Sequence, residues 1–313
     1  MRILLWHVHG SWTTAFVQGG HEYLIPVLPG RPSDGRGRPS RAGTFDWPPN
    51  AAEIAPGRLQ RAGIDVVIIQ RTNELGLLTQ WTGLRAGVDV PVVYVEHNAP
   101  QGRIAEMRHP AAGVPGVVIV HVTHFNELFW DCGPARTVVI EHGVPDPGYR
   151  YTGELPAAAV VVNEPVRRGR VTGTDLLDVF RRSAAVDVFG MGSAAVGGTD
   201  LPHKRLLDEL PRRRLYLHPI RWTSLGLSLI EAMHLGMPVV ALATTETPSA
   251  VPPSAGVVST DVARLGDAVR QLIADPALAK EMGQAGREYA LARYGLGRFL
   301  AGWDRLLAEV VRG

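Results

Sequence analysis

The sequence predicts an α/β protein built from two parallel-sheet domains with helices on both faces of each sheet. Three observations predict it. Short apolar runs alternate with longer stretches of helical spacing, the rhythm of strand–helix–strand crossovers. That rhythm is interrupted from Gly143 to Gly148 and on to Pro156, a stretch dense in chain breakers that reads as a link between two halves. The 313 residues exceed one ordinary core and suit two domains of roughly 150 residues. The expected division is residues 1–150 and 151–297, with a final helix over 298–313.

Taken in order, the expected strands of the first half are Ile3–Val8, Tyr23–Val27, Asp65–Gln70, Val90–Glu96, Val117–Val122 and Thr137–Glu141. Those of the second are Ala157–Asn163, Val186–Gly190, Leu215–His218, Pro238–Ala243 and Gly256–Val258. Each is a compact run of Val, Ile, Leu or Ala, the pattern of strands covered on both faces. Gly30–Asn50 is different. It is rich in Gly, Pro and Arg and reads as a mobile loop, with Phe45 and Trp47 near its end. Either it is a surface loop or it is a flap over an acceptor site. The last third is helical. Asp261–Ala274, Pro276–Tyr294 and Arg298–Val311 place apolar residues three and four apart. Pro276 suits a first helical position, and Gly295 and Gly297 interrupt the pattern before the last helix. That helix carries a stripe of Phe299, Trp303, Leu306, Leu307 and Val310, which requires burial.

Composition excludes several classes. Apolar residues make up 45% and charged residues 20%, with a formal charge of +2. Wholesale nucleic-acid binding by net charge is not indicated. The cations are almost all Arg, with Lys only at 204 and 280. In so Ala-, Gly- and Pro-rich a chain, an Arg cluster is weak evidence for a site. One cysteine, Cys132, excludes an internal disulfide and a Cys-rich zinc module. No apolar run approaches the ~18 residues of a membrane span, and the N-terminus reads as a first strand and not as a cleaved leader. A cytoplasmic location is the expectation. Peripheral membrane contact through Arg-rich loops stays open.

In open parallel sheets ligands bind at the carboxyl ends of strands. After the first strand, Gly10 allows close backbone approach and Ser11 opens a helix whose amides could face an anion. His97 follows the fourth strand. It is placed to bond a substrate hydroxyl or move a proton, or else to cap a loop. Several other histidines fall near strand ends, but without a helical pair or acidic partner motif they do not predict a metal site. Arg167, Arg168 and Arg170 lie in a loop just before a helix, a good diphosphate clamp or a solvated loop. The richest segment is 215–241, which reads strand, loop, helix, stop, strand. The amides near Ser224, Leu225 and Gly226 would face an anion. Glu231 is a carboxylate among Leu229, Ile230, Ala232 and Met233. A buried carboxylate needs partners, and either vicinal ribose hydroxyls or a nearby Arg would supply them.

Leu225–Ala241 resembles the signature of family-4 retaining glycosyltransferases, whose GT-B fold has two facing Rossmann-like domains. Other landmarks fall in the same order. Gly19-Gly20-His21-Glu22 resembles the family's approach to the second strand, and Val90–His97 its strand ending in an active-site histidine. His142-Gly143-Val144-Pro145-Asp146 resembles its domain-border turn, Arg167–Gly173 its phosphate loop, and Asp275–Tyr294 its helical tail. The signature pairs two glutamates with seven residues between them. Here Glu231 is the second, and Thr223 stands at the first. Thr172 replaces the loop lysine, so Arg168 or Arg170 would have to compensate. The short interval between Gly192 and Leu215 implies that one strand–helix unit of the second domain is trimmed.

The resemblance implies a nucleoside-diphosphate sugar as donor, UDP- or GDP-linked, and transfer of its sugar to an acceptor hydroxyl with retention. Arg167 and Arg168 would neutralise the diphosphate, with Arg167 also counted among the catalytic groups. Amides at Ser224–Gly226 would assist, and Thr223 would face the sugar. Glu231 would hold the ribose, the backbone of Gly190, Met191 and Gly192 would approach the base, and Gly10 and Ser11 would cover the phosphates. His97 would bond the sugar or a transferred proton. No Asp-x-Asp motif is present, so no obligatory metal and no cofactor are expected. The last helix would cross back onto the first domain. The acceptor could be a lipid-linked sugar, a polysaccharide, a natural product or a small metabolite. Two rivals share the fold: a sugar-nucleotide 2-epimerase and a non-catalytic nucleotide-sugar-binding protein.

Overall fold

The computed structural model describes residues 1–39 and 45–312. In chain order the elements are β1 (Arg2–Leu5), α1 (Gly10–Phe16), β2 (Glu22–Pro26), β3 (Ala51–Ile54), β4 (Val66–Ile69), α2 (Asn73–Thr82), β5 (Val92–Glu96), β6 (Val117–His121), α3 (His124–Phe129) and β7 (Thr137–Val139). They continue with β8 (Leu155–Val161), α4 (Pro165–Arg168), α5 (Leu177–Arg181), β9 (Ala185–Phe189), α6 (His203–Glu209), β10 (Arg213–His218) and α7 (Leu227–Leu235). The chain closes with β11 (Val239–Leu242), α8 (Thr247–Ala250), β12 (Gly256–Ser259), α9 (Val262–Ala274), α10 (Pro276–Tyr294) and α11 (Leu296–Arg312).

Two compact units result. Met1–Gly143 with Leu296–Gly313 forms unit 1, and Val144–Gly295 forms unit 2. Unit 1 holds a seven-stranded sheet in the order β3-β2-β1-β4-β5-β6-β7, and unit 2 a five-stranded sheet in the order β12-β11-β10-β8-β9. Every strand pairing within the two sheets is parallel. Helices cover the faces, so central strands such as Val66-Val67-Ile68-Ile69 are buried throughout.

Local chemistry places the helix ends. The Asp261 carboxylate accepts from the amides of Ala263 and Arg264 at 2.9 and 3.3 Å and starts α9. Asp275 accepts from the Leu278 amide at 3.0 Å, and Pro276 follows it as the first residue of α10. The last helix begins earlier than its sequence pattern suggests. Gly297 lies inside its first turn, and the break is at Gly295 alone. Within unit 1 the α11 stripe meets α1: Trp303 packs edge-on against Trp12 and Phe16, with ring centroids 5.7 and 5.0 Å apart. His21, from the Gly-Gly-His-Glu landmark, pairs with Asp304 on that helix at 3.0 Å.

Two features of unit 1 differ from the sequence reading. β3 is an added edge strand, paired from Tyr23↔Ala51 to Pro26↔Ile54. Its Ala-Ala-Glu-Ile sequence is short, lacks a β-branched run and is covered on one side only, so it carries little strand signal. The Gly30–Asn50 segment is tied down in its described parts and is not a mobile loop there. The Trp47 indole is buried and donates to Thr14 Oγ1 at 2.8 Å. Arg38 donates to the carbonyls of Trp47 and Pro48 at 2.6 and 2.9 Å, and Arg31 pairs with Glu53 at 2.8 Å. Arg31 and Arg38 are consumed in these local bonds. Residues 40–44 lie outside the described residues.

In unit 2 the interval between β9 and β10 holds α6 and short 3₁₀ turns but no strand. This matches the trimmed unit that the short interval implied.

Candidate functional site

In unit 2 the chain runs from β8 to β9 on one side, then crosses to β10 on the other. The strand order therefore reverses between β8 and β10, the place where parallel sheets leave a crevice beyond their carboxyl ends. The loops after β8, β9 and β10 meet there. Gly173 lies so close to the Pro219 carbonyl that a Cβ would sit 2.0 Å from its oxygen. Gly190 has φ +132° and is pressed against the Val162 carbonyl, where a Cβ would sit 2.2 Å away. The amides of Arg221 and Trp222 donate to Val171 at 2.9 and 3.2 Å, and the amide of Glu164 donates to Met191 at 2.7 Å. Glu164 itself is left-handed, with φ 54°, a strained conformation for a non-glycine residue.

This edge is rich in open donors. Gly226 caps α7, a nine-residue helix, without a side-chain cap bond. The amides of Leu225, Gly226, Leu227 and Ser228 donate to no acceptor among the described residues. Ser224 is 1% exposed, and its buried Oγ has no partner among the described residues. Arg168 is half-buried and makes no side-chain hydrogen bond among the described residues, while burial and neighbouring Arg167 lower its pKa. Arg167 is mostly exposed and only loosely paired with Glu164 at 3.7 Å. A helix start with orphan amides, an orphan hydroxyl and two adjacent guanidinium groups suits a phosphate-bearing ligand.

Several expected contributors are relocated. Arg170 is bound to Asp175 at 2.9 Å, and Asp175 is also gripped by Arg221 at 2.5 and 2.9 Å. Of the two arginines expected to stand in for the missing lysine, Arg168 is the one left uncommitted. The Leu225 side chain is buried in the unit 2 core, so only its backbone can serve a ligand. The Gly190 and Met191 amides are spent on Thr199 O and Asn163 Oδ1 at 3.1 and 2.9 Å, leaving Gly192 as the unbonded backbone of that turn. Thr223 is partly exposed and makes no hydrogen bond among the described residues.

Glu231 is 7% exposed, on α7 among residues of the core. The nearby-Arg alternative is replaced by a histidine: His203 Nε2, at the start of α6, lies 3.0 Å from Glu231 Oε1. A lone histidine after Asp-Leu-Pro carries no motif, so the sequence reading did not select it. Below Glu231, Ser228 Oγ bonds the Tyr216 hydroxyl at 2.9 Å. His218 is fully enclosed, and burial lowers its pKa to about 4. Asp146, in the landmark turn, forms a forked pair with Arg287 of α10 at 2.8 Å.

In unit 1 the strand order reverses between β1 and β4. Across that point His9 Nδ1 lies 3.1 Å from Gln70 Oε1, and Gln70 Nε2 donates to the Trp6 carbonyl at 2.9 Å. With its amide so oriented, Gln70 accepts from Nδ1–H and leaves His9 Nε2 as the unprotonated nitrogen. His97, beyond the end of β5, stacks on His9 with centroids 3.9 Å apart and meets the Trp12 ring edge-on. It is 9% exposed, and its buried Nε2 has no partner among the described residues. Burial, with His9 and His142 nearby, holds its pKa well below the ordinary value. A neutral imidazole with a free ring nitrogen can accept or donate one hydrogen bond. Gly10 is not open backbone: the Phe45 ring covers it, with Cε2 2.7 Å from where a Cβ would lie. α1 has seven residues and no capping side chain, and Ser11 is partly exposed at its start. Among the described residues no group of three or more His, Cys, Asp or Glu side chains is arranged to hold a metal ion.

The buried imidazoles set an acid limit. Burial lowers the pKa of His121 to about 4 and that of His142 to about 3. Because these values lie below those of the unfolded chain, unfolding takes up protons as the pH falls. Stability is complete above about pH 6.5, the ordinary histidine value, and is lost progressively below it. The melting temperature is expected to fall between pH 7 and pH 4.5 in scanning calorimetry. A flat profile over that interval would show that these rings are solvated.

Two parallel-sheet α/β units, each with its polar loops at the carboxyl edge of its sheet, define the GT-B fold. Solved structures share it over the whole chain. A sucrose-phosphate synthase from Thermosynechococcus elongatus is similar over 99% of this chain and 99% of its own, with a TM-score of 0.71 at 14% identity. HepE from Anabaena, in complex with UDP, is similar over 99% and 100%, with a TM-score of 0.71 at 11% identity. Likeness at these identities speaks for the fold alone.

Sequence similarity points more narrowly to unit 2. Residues 199–289 match the family described as Glycosyl transferases group 1, a stretch that contains His203, Ser224 and Glu231. Over 148 residues the chain is 29% identical to a GDP-mannose-dependent monoacylated alpha-(1-6)-phosphatidylinositol monomannoside mannosyltransferase of Corynebacterium glutamicum. That alignment takes in 46% of this chain and 33% of the relative, so the chain matches about a third of that relative's length. No helix among the described residues is long and apolar enough to cross a membrane.

Proposed function

We propose that this protein is a retaining, metal-independent glycosyltransferase that moves a sugar from a nucleoside-diphosphate sugar to an acceptor hydroxyl. The observation that carries the reading is the open amide row of residues 225–228, at the strand-order reversal of unit 2 and within the segment that matches the glycosyltransferase family. The donor's diphosphate takes those amides, Ser224 Oγ, Arg168 and Arg167. Negative charge grows on the leaving diphosphate as the glycosidic bond breaks, so these donors bind the transition state more tightly than the ground state. Glu231 takes the ribose, and Gly192 approaches the base. Thr223 faces the sugar with a hydroxyl where the resembling signature has a carboxylate. Retention suits this site, because residue 223 offers no carboxylate nucleophile and the leaving diphosphate can itself receive the acceptor proton. His97 of unit 1 bonds the sugar or the acceptor as a neutral imidazole. Metal independence is supported by cationic side chains and amides filling the role of a divalent ion.

HepE was solved with UDP, and the corynebacterial relative is GDP-mannose-dependent. Both bases therefore belong in the test. That relative's name also makes a lipid-linked mannoside the acceptor class to try first, with peripheral membrane contact as its corollary. Purified protein is screened by thermal shift with UDP- and GDP-sugars, then assayed for nucleoside diphosphate release with and without EDTA. Stabilisation by one donor, EDTA-insensitive turnover and a product of unchanged anomeric configuration by NMR are expected. Failure of every UDP- and GDP-compound to bind would overturn the reading. A second reading, a nucleotide-sugar-binding protein without transfer, is favoured by Thr223. Binding with no donor turnover over a broad acceptor panel would select it.

A further inference from the structure

We infer that His203 is a positioning residue for the donor ribose, acting through Glu231; the inference rests on the donor-site reading above. His203 is the first residue of α6, directly after Pro202. Its Nε2 lies 3.0 Å from Glu231 Oε1, and the two side chains are 23% and 9% exposed. Glu231 Oε2 has no hydrogen-bond partner among the described residues. The carboxylate is thus held on one oxygen and open on the other.

The physical consequence follows from how carboxylates behave. The terminal torsion of a glutamate is broad, so an unrestrained carboxylate samples many orientations. Glu231 sits on a helix whose neighbours Leu229, Ile230 and Ala232 are buried, so the backbone has little freedom to re-aim it. The imidazole N–H removes the remaining torsional freedom. It also satisfies one oxygen of a charge that would otherwise be costly to bury. Oε2 is left as a preoriented acceptor for a ribose hydroxyl, and an O–H donated to a carboxylate is among the stronger hydrogen bonds. Ordering the acceptor before the ligand arrives removes part of the entropy cost of binding. A residue that served only to join α6 to α7 would alter stability without altering which pentose is preferred.

The test measures that preference. Dissociation constants for UDP and GDP, and for their 2′-deoxy and 3′-deoxy counterparts, are determined calorimetrically on the full chain. The proteins compared are wild type, His203→Ala, His203→Gln and Glu231→Gln, each with its melting temperature. The wild type is expected to prefer the ribonucleotide over at least one deoxy form by about tenfold or more. His203→Ala is expected to lose most of that preference while binding the deoxy form with near wild-type affinity. His203→Gln, which keeps a donor on a comparable reach, is expected to retain most of it and keeps the test valid if the alanine variant does not fold. A wild-type ratio in both His203 variants would overturn the positioning role. Wild-type affinity and ratio in Glu231→Gln would instead overturn the assignment of the ribose to Glu231.

Discussion

Glu231→Ala is expected to lower affinity for the preferred nucleoside diphosphate by about 10- to 100-fold, the range for losing hydrogen bonds to a charged acceptor. The physical reason lies in the position of the carboxylate. It is buried on α7, about one turn from the open amides at the start of the same helix, and it is paired with a partly exposed imidazole and not a guanidinium. Its removal strands no fully buried cation, because His203 is partly exposed and can reach water. The fold should therefore survive, with an unchanged circular dichroism spectrum and a melting temperature near that of the wild type. Titration calorimetry with UDP and GDP reads the loss directly. Unchanged affinity for both would remove the carboxylate from the site and, with it, the placement of the donor on unit 2.

His97→Ala is expected to act on rate. Turnover should fall by about 100-fold or more, within the range for losing a positioned proton-transfer or hydrogen-bonding group, while the dissociation constant for the nucleoside diphosphate stays within about twofold. The motivating observation is a neutral, nine-tenths-buried imidazole whose Nε2 has no partner among the described residues. A buried polar atom without a partner is uncommon and marks a place where a ligand or ordered water belongs. Single-turnover kinetics at saturating donor separate the chemical step from binding. A fully active variant would make His97 a packing residue between His9 and Trp12.

These two effects divide the protein by role. On the proposed reading, nucleotide affinity resides in unit 2, whose amides, arginines and carboxylate lie on the loops and helix beyond one strand-order reversal. The same reading assigns part of the rate to unit 1, where burial lowers the pKa of His9, His97 and His142. Neither unit uses a cluster of side chains suited to a metal among the described residues. On this reading, charge on the departing diphosphate is met by fixed dipoles and guanidinium groups.

Much of the architecture was legible in the chain. Each expected strand is present, because a strand buried on both faces must be a short apolar run and little else satisfies that demand. The α10 ends coincide with Pro276 and Tyr294, since proline and the Asp275 cap act locally. Glu231 stood out as a charge in an apolar helix, and burial of that carboxylate is what the structure contains. What escaped was β3, whose four residues gain stability from one neighbouring strand and not from their own composition.

The site was legible in type but not in allocation. Arg167, Arg168 and Arg170 look alike in sequence, yet Asp175 claims Arg170, while Arg168 has no side-chain partner among the described residues. Gly10 looked like open backbone until the Phe45 ring was found over it. Arg31 and Arg38 look like mobile charge in sequence, yet Glu53 and backbone carbonyls absorb them. In each case a long-range partner decides, and pairing across many residues leaves no local trace.

Sequence alone therefore determined the two-sheet α/β architecture, the ends of α10 and the chemical character of the loops after the strands, because burial periodicity, caps and breakers act over a few residues. Only the tertiary structure decided which donors remain open, that His203 holds Glu231 and that His97 is kept neutral. Those outcomes depend on distance and desolvation between segments far apart in the chain, and these exist only once the sheets have brought the segments together.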